Sequence, residues 1–386
     1  MKILLIHTHY QLHGGEDAVV KQEIELLKHH HTVEVLWFQN QAGWKGALQF
    51  LCSIWNISSA TTVRKKIQEF KPDVVHVHNW HFAMGPLVFR EINRLGIPIV
   101  HTVHNYRLLC PSAILLHKGI LFTNSLKESF PWTAVRNKVY RSSILQTFWL
   151  GFVIWFHKEI GTWEKIDAYV CLTPFAITLF QQSNFGVLKD RFTVKPNFTS
   201  APKDFQPSER EQHFLFIGRL SEEKGIAVLL KAFKDSPFVL KIAGDGPLKE
   251  LVLNLAKQSC NVIYLGNLTT EKVTEELQKT QALIFPSICY EMFGLVNIEA
   301  FANQTPVIAS KIGAPQSLII DSYNGFHFEP GNVNHLKEII TKFNALSIAE
   351  KKQMGSNAFR NYQDAYLPEL QLGYFDAIYS KVLKKK

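Results

Sequence analysis

Cysteine is scarce in this chain and is never spaced as a scaffold needs. Cys52, Cys110, Cys171, Cys260 and Cys289 are odd in number, far apart, and form no C-x-x-C pair. That argues against a disulfide framework or a zinc ribbon and favours a reducing, cytoplasmic setting. Long hydrophobic runs are missing too. The longest, "ILQTFWLGFVIWF" at 144–156, is broken by Gln146, Thr147 and Gly151 and falls short of the about 20 apolar residues that a spanning helix needs. The opening "MKILLIHTHY" has one lysine and a short apolar run before polar residues, so it reads as a buried first strand, and export is not expected. No Asp-x-Asp occurs, so a carboxylate pair to hold a divalent ion on a diphosphate is not evident, and no metal requirement is expected. Short-period repeats and low-complexity tracts are absent apart from the terminal "KKK", which sets solenoids and disordered chains aside.

What is present suits a globular protein of two domains: 386 residues, 46% hydrophobic and 19% charged. The formal charge of +9 is uneven, because residues 1–200 carry 21 Lys and Arg against 13 Asp and Glu, whereas 201–386 carry 21 against 20. A basic first half points to nucleic acid, an anionic membrane or phosphorylated substrates, and charge alone does not choose. Its aromatics lie in apolar runs, without the interleaved glycine and cations of a base-stacking surface, so nucleic acid is not expected as a partner.

Short β-branched runs alternate with helical patterns. "KILLIHT", "TVEVLWF", "DVVHVHN", "IPIVHTVHN", "DAYVCLT" and "FTVKPN" come first, then "HFLFIGRL", "FVLKIAGDGP", "NVIYLGNL", "ALIFPSI", "TPVIASKIG" and "NGFHFEPG". The rhythm predicts an α/β protein of two Rossmann-like, doubly wound parallel-sheet domains facing a central cleft. The boundaries expected are 1–196 for the first domain, a polar linker at 197–212, and 213–365 for the second. A C-terminal helix at 366–386 would pack back on the first domain.

Ligands of such sheets sit beyond the carboxyl ends of the strands, so the loops there carry the candidate site. Gly14 and Gly15 follow the first strand and precede a helix with an acidic first turn. "IGRLSEEKG" offers Arg219 and Lys224, a fork and a point charge suited to a diphosphate, with pairing to Glu222 and Glu223 as the plain alternative. Gly244 and Gly246 in "IAGDGP", and Gly313 in "SKIGAP", read as tight turns around a ligand. "FPSICYEMFGLVNIEA" places Glu291 in a turn and Glu299 inside a helix. The backbone N–H groups of Phe293, Gly294, Leu295 and Val296 would then be orphan donors at a positive dipole end, a ready phosphate site. His76, His78, His81, His101 and His104 invite a metal reading, but no acid in their segments completes a ligand set.

In this order the loops resemble the retaining glycosyltransferases of family 4, which have the GT-B architecture. The resemblance spans nearly the whole chain: "HGGEDAVV", "DVVHVHN", "VHNYRLLCP", "VKPNF", "IGRLSEEKG", "AGDGP", "FPSICYEMFGLVNIEA" and "PVIASKIGAP". It implies that Arg219 and Lys224 hold the diphosphate of a nucleotide sugar, that Glu291 meets hydroxyls of the donor sugar, and that Glu299 binds the ribose. It also implies that His104 stands beside the donor sugar, with Gly14 and Gly15 closing over the phosphates. Two departures stand out. "LLHKGILFTNSLKESF" lacks the further cysteines that relatives sharing "VHNYRLLCP" often carry, and Gly313-Ala314 replaces the more usual double glycine.

The implied activity is retaining transfer of a hexosyl unit from a nucleotide-diphosphate sugar to an acceptor hydroxyl. By analogy the acceptor is a lipid-linked saccharide in capsule, O-antigen or exopolysaccharide assembly, at the inner face of the cell membrane. The aromatic and cationic segments 130–163 and 44–56 suit such peripheral contact, unless their aromatics enter the core instead. A sugar-nucleotide epimerase, a phosphorylase-like enzyme and a catalytically silent nucleotide-sugar-binding module stay open as alternatives on the same architecture.

Overall fold

The computed structural model describes residues 1–10, 14–202 and 210–384. They form two compact units. The first comprises Met1–Leu115, Phe122–Asn197 and Pro368–Lys386, and the second Leu116–Leu121 and Phe198–Leu367. Part of the segment expected as a linker, residues 203–209, lies outside the described residues. Arg210 just after it is firmly seated, its guanidinium donating to the carbonyls of Leu277, Thr280, Asn303 and Gln304.

The first unit is built on strands β1 (Lys2–His9), β2 (Thr32–Gln39), β3 (Val74–Val77) and β4 (Ile99–Val103). A small hairpin, β5 (Leu116–His117) and β6 (Ile120–Leu121), belongs to the second unit, and β7 (Ala168–Cys171) and β8 (Phe192–Val194) complete the first sheet. Its order is β2-β1-β3-β4-β7-β8, all parallel. A parallel sheet is covered on both faces, so its strands need unbroken apolar runs, and Ile3, Leu4, Leu5 and Ile6 are each fully buried.

Helices cover the faces by the spacing of their apolar residues. The helix Gly15–Lys28 buries Asp17, Val19, Val20, Glu23, Ile24 and Leu27, a helical stripe that carries two acids inward. The last helix, Pro368–Leu383, presents Phe375, Ile378, Tyr379 and Val382 to Ile3, Val74, Val100 and Val170 of the first sheet. A stripe at i, i+3, i+4 and i+7 is what a helix needs to return to a sheet face.

The second unit repeats the design with β9 (His213–Ile217), β10 (Val239–Ala243), β11 (Val262–Gly266), β12 (Ala282–Phe285), β13 (Val307–Ser310) and β14 (Gly325–Phe328). The order is β11-β10-β9-β12-β13-β14, again all parallel. Phe214, Phe216, Leu229, Phe233, Ile242, Ile284, Ile308 and Phe343 lie in its core. In this sheet the order reverses at β9, so the loops after β9 and β12 flank the switch point where α/β sheets bind ligands.

Replacing the fully buried Phe375 by alanine leaves a void between the last helix and the first sheet. The expected loss is about 3–5 kcal/mol of stability. Urea unfolding of the variant measures it, and a loss below about 1 kcal/mol contradicts the packing described.

Candidate functional site

In the second unit the site begins with close backbone approaches. A Cβ on Gly244 (φ +132°) would lie 1.9 Å from the Gly218 carbonyl oxygen, and one on Gly246 (φ +158°) 2.5 Å from that of Leu220. Glycine there lets the loop after β9 lie directly on the loop after β10, where the Leu220 N–H donates to the Asp245 carbonyl at 2.9 Å. Arg219 rides on this platform, exposed and with no side-chain partner among the described residues.

Lys224 is placed by a second approach. Gly225 adopts the left-handed conformation, and a Cβ on it would come within 1.9 Å of the Pro286 carbonyl oxygen. The loops after β9 and β12 are therefore pressed together, and the Lys224 ammonium meets Glu291 Oε1 at 2.5 Å. Burial disfavours the ammonium, yet Glu291, helped by Cys289 and Glu223, outweighs it and raises the lysine above its ordinary value. Glu291 is gripped from two more sides. Ser287 Oγ donates to the same Oε1 at 2.7 Å, and the Ala314 N–H donates to the Glu291 carbonyl at 3.0 Å. Gly313 (φ +64°) makes room for that loop, since a Cβ there would stand 2.6 Å from the Glu291 nitrogen. The plain alternative of Lys224 pairing with Glu222 and Glu223 is not what the structure shows: Glu223 takes the Ser221 hydroxyl at 2.5 Å.

The helix Leu295–Ala302 starts at left-handed Gly294 with no side-chain cap. The N–H groups of Leu295 and Val296 lack intrahelical acceptors, as at any helix start, and Phe293 is buried beside them. Glu299 sits one turn in. It is half-buried, its carboxyl has no hydrogen-bond partner among the described residues, and burial pushes its pKa up to about 7. Asn297, which the sequence reading passed over, is fully buried with both amide atoms unbonded, and its Nδ2 would stand 2.7 Å from a Cβ on Gly294. A polar residue inside "GLVNIEA" was the only signal for it.

In the first unit, Gly14 caps the helix Gly15–Lys28, and a Cβ on either Gly14 or Gly15 would meet nothing within 4 Å among the described residues. His104 follows β4, half-buried, with Nε2 2.9 Å from His78 Nδ1. Burial, reinforced by the neighbouring His7 and His101, holds its pKa well below the ordinary value, so the ring is neutral at pH 7.

The five histidines of the metal reading find other partners. His76 bonds Tyr379 and Thr102, His101 the Val77 carbonyl, His81 Tyr140, and His78 meets His104. Among the described residues the one group of three with metal-ligand spacing is His7, His9 and Asp17, which the sequence reading missed. There Asp17 Oδ1 itself bridges the rings, at 2.9 Å from His7 Nε2 and 2.7 Å from His9 Nδ1. The first-turn acids of this helix were legible in sequence, but their pairing with alternate residues of β1 was not.

Comparison with known proteins covers both units. The family model "Glycosyltransferase Family 4" matches residues 13–200, and "Glycosyl transferases group 1" matches 197–361. Two uncharacterized glycosyltransferases of Methanocaldococcus jannaschii are each 32% identical, one over 69% of this chain and 64% of its own length, the other over 72% and 68%. The Escherichia coli O-antigen chain mannosyltransferase C is 28% identical over 46% of this chain and 48% of its own length. Among solved structures, a sucrose-phosphate synthase from Thermosynechococcus elongatus superposes with a TM-score of 0.75 at 18% identity, covering 100% of both chains. Anabaena HepE in complex with UDP and glucose gives 0.68 at 19%, covering 99% of this chain and 100% of that one.

The Glu299 pKa has a measurable consequence. Its folded value of about 7 lies above the ordinary 4.5, so the native state favours the protonated form. Stability from this group is complete below about pH 4.5 and is lost as pH rises through 7. Glu299→Gln removes the penalty: the variant should be more stable than wild type at pH 8, on the order of 2 kcal/mol, with the gap closing at pH 4. Urea titrations at both pH values test this, and equal stability at pH 8 contradicts it.

Proposed function

We propose that this chain, which belongs to the family 4 glycosyltransferases and has the GT-B fold, moves a hexosyl unit from a nucleotide-diphosphate sugar to an acceptor hydroxyl with retention at the anomeric carbon. The observation that carries the reading is the Lys224–Glu291 pair, locked by three loops at the strand ends beside an uncapped helix start and an unpaired Arg219. Such a place offers an anion two cations and free N–H donors, and a sugar one fixed carboxylate.

Each residue then takes a role that its surroundings suit. Arg219, Lys224 and the N–H groups of Leu295 and Val296 receive the diphosphate, with Phe293 and Gly294 shaping the turn. Gly244 and Gly246 hold the Arg219 loop in place. Glu291 accepts from donor-sugar hydroxyls while orienting Lys224. Glu299, raised towards neutrality by burial, is suited to hydroxyls of a ribose and unsuited to phosphate. Gly14 and Gly15 leave backbone room for phosphate in the first unit, and neutral His104 offers a hydrogen bond to the sugar. As the glycosidic bond to phosphate breaks, the departing diphosphate takes the acceptor proton on the same face. No carboxylate nucleophile is needed, and charge on the leaving group falls to Arg219, Lys224 and the helix start, so no metal is required.

The acceptor in this reading is a lipid-linked saccharide, as part of surface-polysaccharide synthesis. The E. coli relative's named role in O-antigen supports that acceptor class, and the UDP and glucose bound to HepE fit a nucleotide-sugar donor. The first unit also exposes apolar groups that water alone would not favour. Trp44 (73% exposed), Leu48 and Leu51 stand on the helix Gly43–Cys52, and Trp132 and Leu145 (79%) stand on neighbouring segments of chain. The helix Ile144–Glu159 keeps Phe148, Trp149, Phe152, Trp155 and Phe156 half-buried in a ring-to-ring ladder, between the core and membrane alternatives. No helix among the described residues is long and apolar enough to cross a membrane. We assign these side chains to peripheral contact with anionic lipid, Lys45 beside Trp44 supplying charge.

Thermal unfolding against millimolar UDP, GDP, ADP and CMP should show one stabilising nucleotide, adding about 2.7 kcal/mol at 100 times its dissociation constant. The shift should vanish in Arg219→Ala and Glu299→Ala. Glu291→Gln should lower turnover about 100-fold or more with the fold intact; unchanged turnover removes Glu291 from the mechanism. Flotation with anionic vesicles should recover the wild type and lose the triple variant Trp44→Ser/Leu48→Ser/Leu51→Ser.

A further inference from the structure

Behind His104 lies a buried chain of polar groups that the proposed transfer reaction does not by itself call for. The Lys195 ammonium donates to Glu23 Oε1 at 2.7 Å, both side chains fully buried. Glu23 Oε2 stands 3.4 Å from His78 Nε2, and His78 Nδ1 stands 2.9 Å from His104 Nε2. We propose that Lys195, Glu23 and His78 are positioning residues that hold His104 in one tautomer, protonated at Nε2 and bare at Nδ1, so that it accepts a hydrogen bond from a substrate hydroxyl.

The argument is one of proton counting. Among the described residues Glu23 Oε2 and His78 Nε2 are buried and have no hydrogen-bond partner within ordinary geometry. They stand 3.4 Å apart, and a buried polar atom finds a partner where one is in reach. Burial pushes the Glu23 carboxyl up, but the Lys195 ammonium that donates to it opposes this and holds it as a carboxylate, which can only accept. The proton on His78 therefore belongs on Nε2. A neutral imidazole has one donor and one acceptor, so His78 Nδ1 is the acceptor, and the proton between the two rings belongs to His104 Nε2. His104 Nδ1 is left bare.

His76 stacks on His78 at 4.4 Å, but its own nitrogens are taken by Tyr379 and Thr102. Lys195 is held in place by the Phe375 ring, 4.5 Å from its ammonium, and by the Pro196 carbonyl. The Lys195 charge disfavours a proton charge on His104, and what the relay adds there is orientation. A sugar hydroxyl that donates to Nδ1 would meet a fixed acceptor; a mixture of tautomers would present a donor part of the time.

The inference rests on the reading of His104 as a sugar contact, and the test separates the two. Nitrogen-15 spectra of the full-length protein report which nitrogen of each neutral histidine carries the proton, with His104 assigned by its loss in His104→Ala. Wild type should show His104 protonated at Nε2. In Glu23→Gln/Lys195→Met, which leaves no orphan charge, the amide can donate to His78 Nε2, and the His104 proton should move to Nδ1. Transfer should then fall about tenfold or more, chiefly in kcat/KM, and no further than in His104→Ala. A wild-type His104 protonated at Nδ1 or mixed, or a tautomer unmoved in the double variant, overturns the proposal. If the tautomer moves as stated but His104→Ala transfers normally, the relay stands and the sugar-contact reading fails. Should the double variant not fold, the wild-type spectrum alone decides.

Discussion

The candidate site depends on backbones that touch. Gly225 against Pro286, Gly244 against Gly218, Gly246 against Leu220 and Gly313 against Glu291 are approaches that a single methylene would prevent. Because they occur where parallel strands end, the loops of four strands stack into one rigid floor, and the Lys224–Glu291 pair is clamped rather than reaching out from flexible arms. A partly buried ion pair of this kind gives little net stability, since desolvation offsets attraction. Its value lies in fixing where a charge and an acceptor stand.

The two units solve the same folding problem and use the result differently. Both are six-stranded parallel sheets whose strands are apolar on both faces. In the second, the strand ends gather charged and glycine-rich loops. In the first, alternate positions of β1 and β3 and the ends of β3 and β4 gather imidazoles, with a buried acid from the helix Gly15–Lys28 and a buried lysine after β8 behind them. Burial holds His7, His76, His78, His101 and His104 below the ordinary imidazole value, which makes them hydrogen-bonding groups of definite polarity. Glu299 shows the same physics for an acid: burial without a cation favours hydroxyl partners.

Much was legible in the chain. The twelve strands, the reversal of sheet order in each half, and the turn-then-helix context of Glu291 and Glu299 follow from periodicity, because a parallel sheet writes its burial into contiguous β-branched runs. The glycines were legible as turns, but their purpose was not, since which carbonyl a missing Cβ admits depends on a strand dozens of residues away. The partner of Lys224 was not legible for the same reason: Glu222 and Glu223, the plain alternative, were near in sequence, and Glu291 is 67 residues distant.

By itself, then, the sequence determined the α/β class, the loops that matter and the residue types they carry, because these are set by local patterns of side-chain size, charge and backbone freedom. Tertiary structure alone decided the pairings: Lys224 with Glu291, Asp17 with His7 and His9, Glu23 with Lys195, and His78 between Glu23 and His104. Those are long-range contacts between buried polar groups. Their energies depend on which atoms lose water together, and that is fixed only when the strands have taken their order and the helices have covered them.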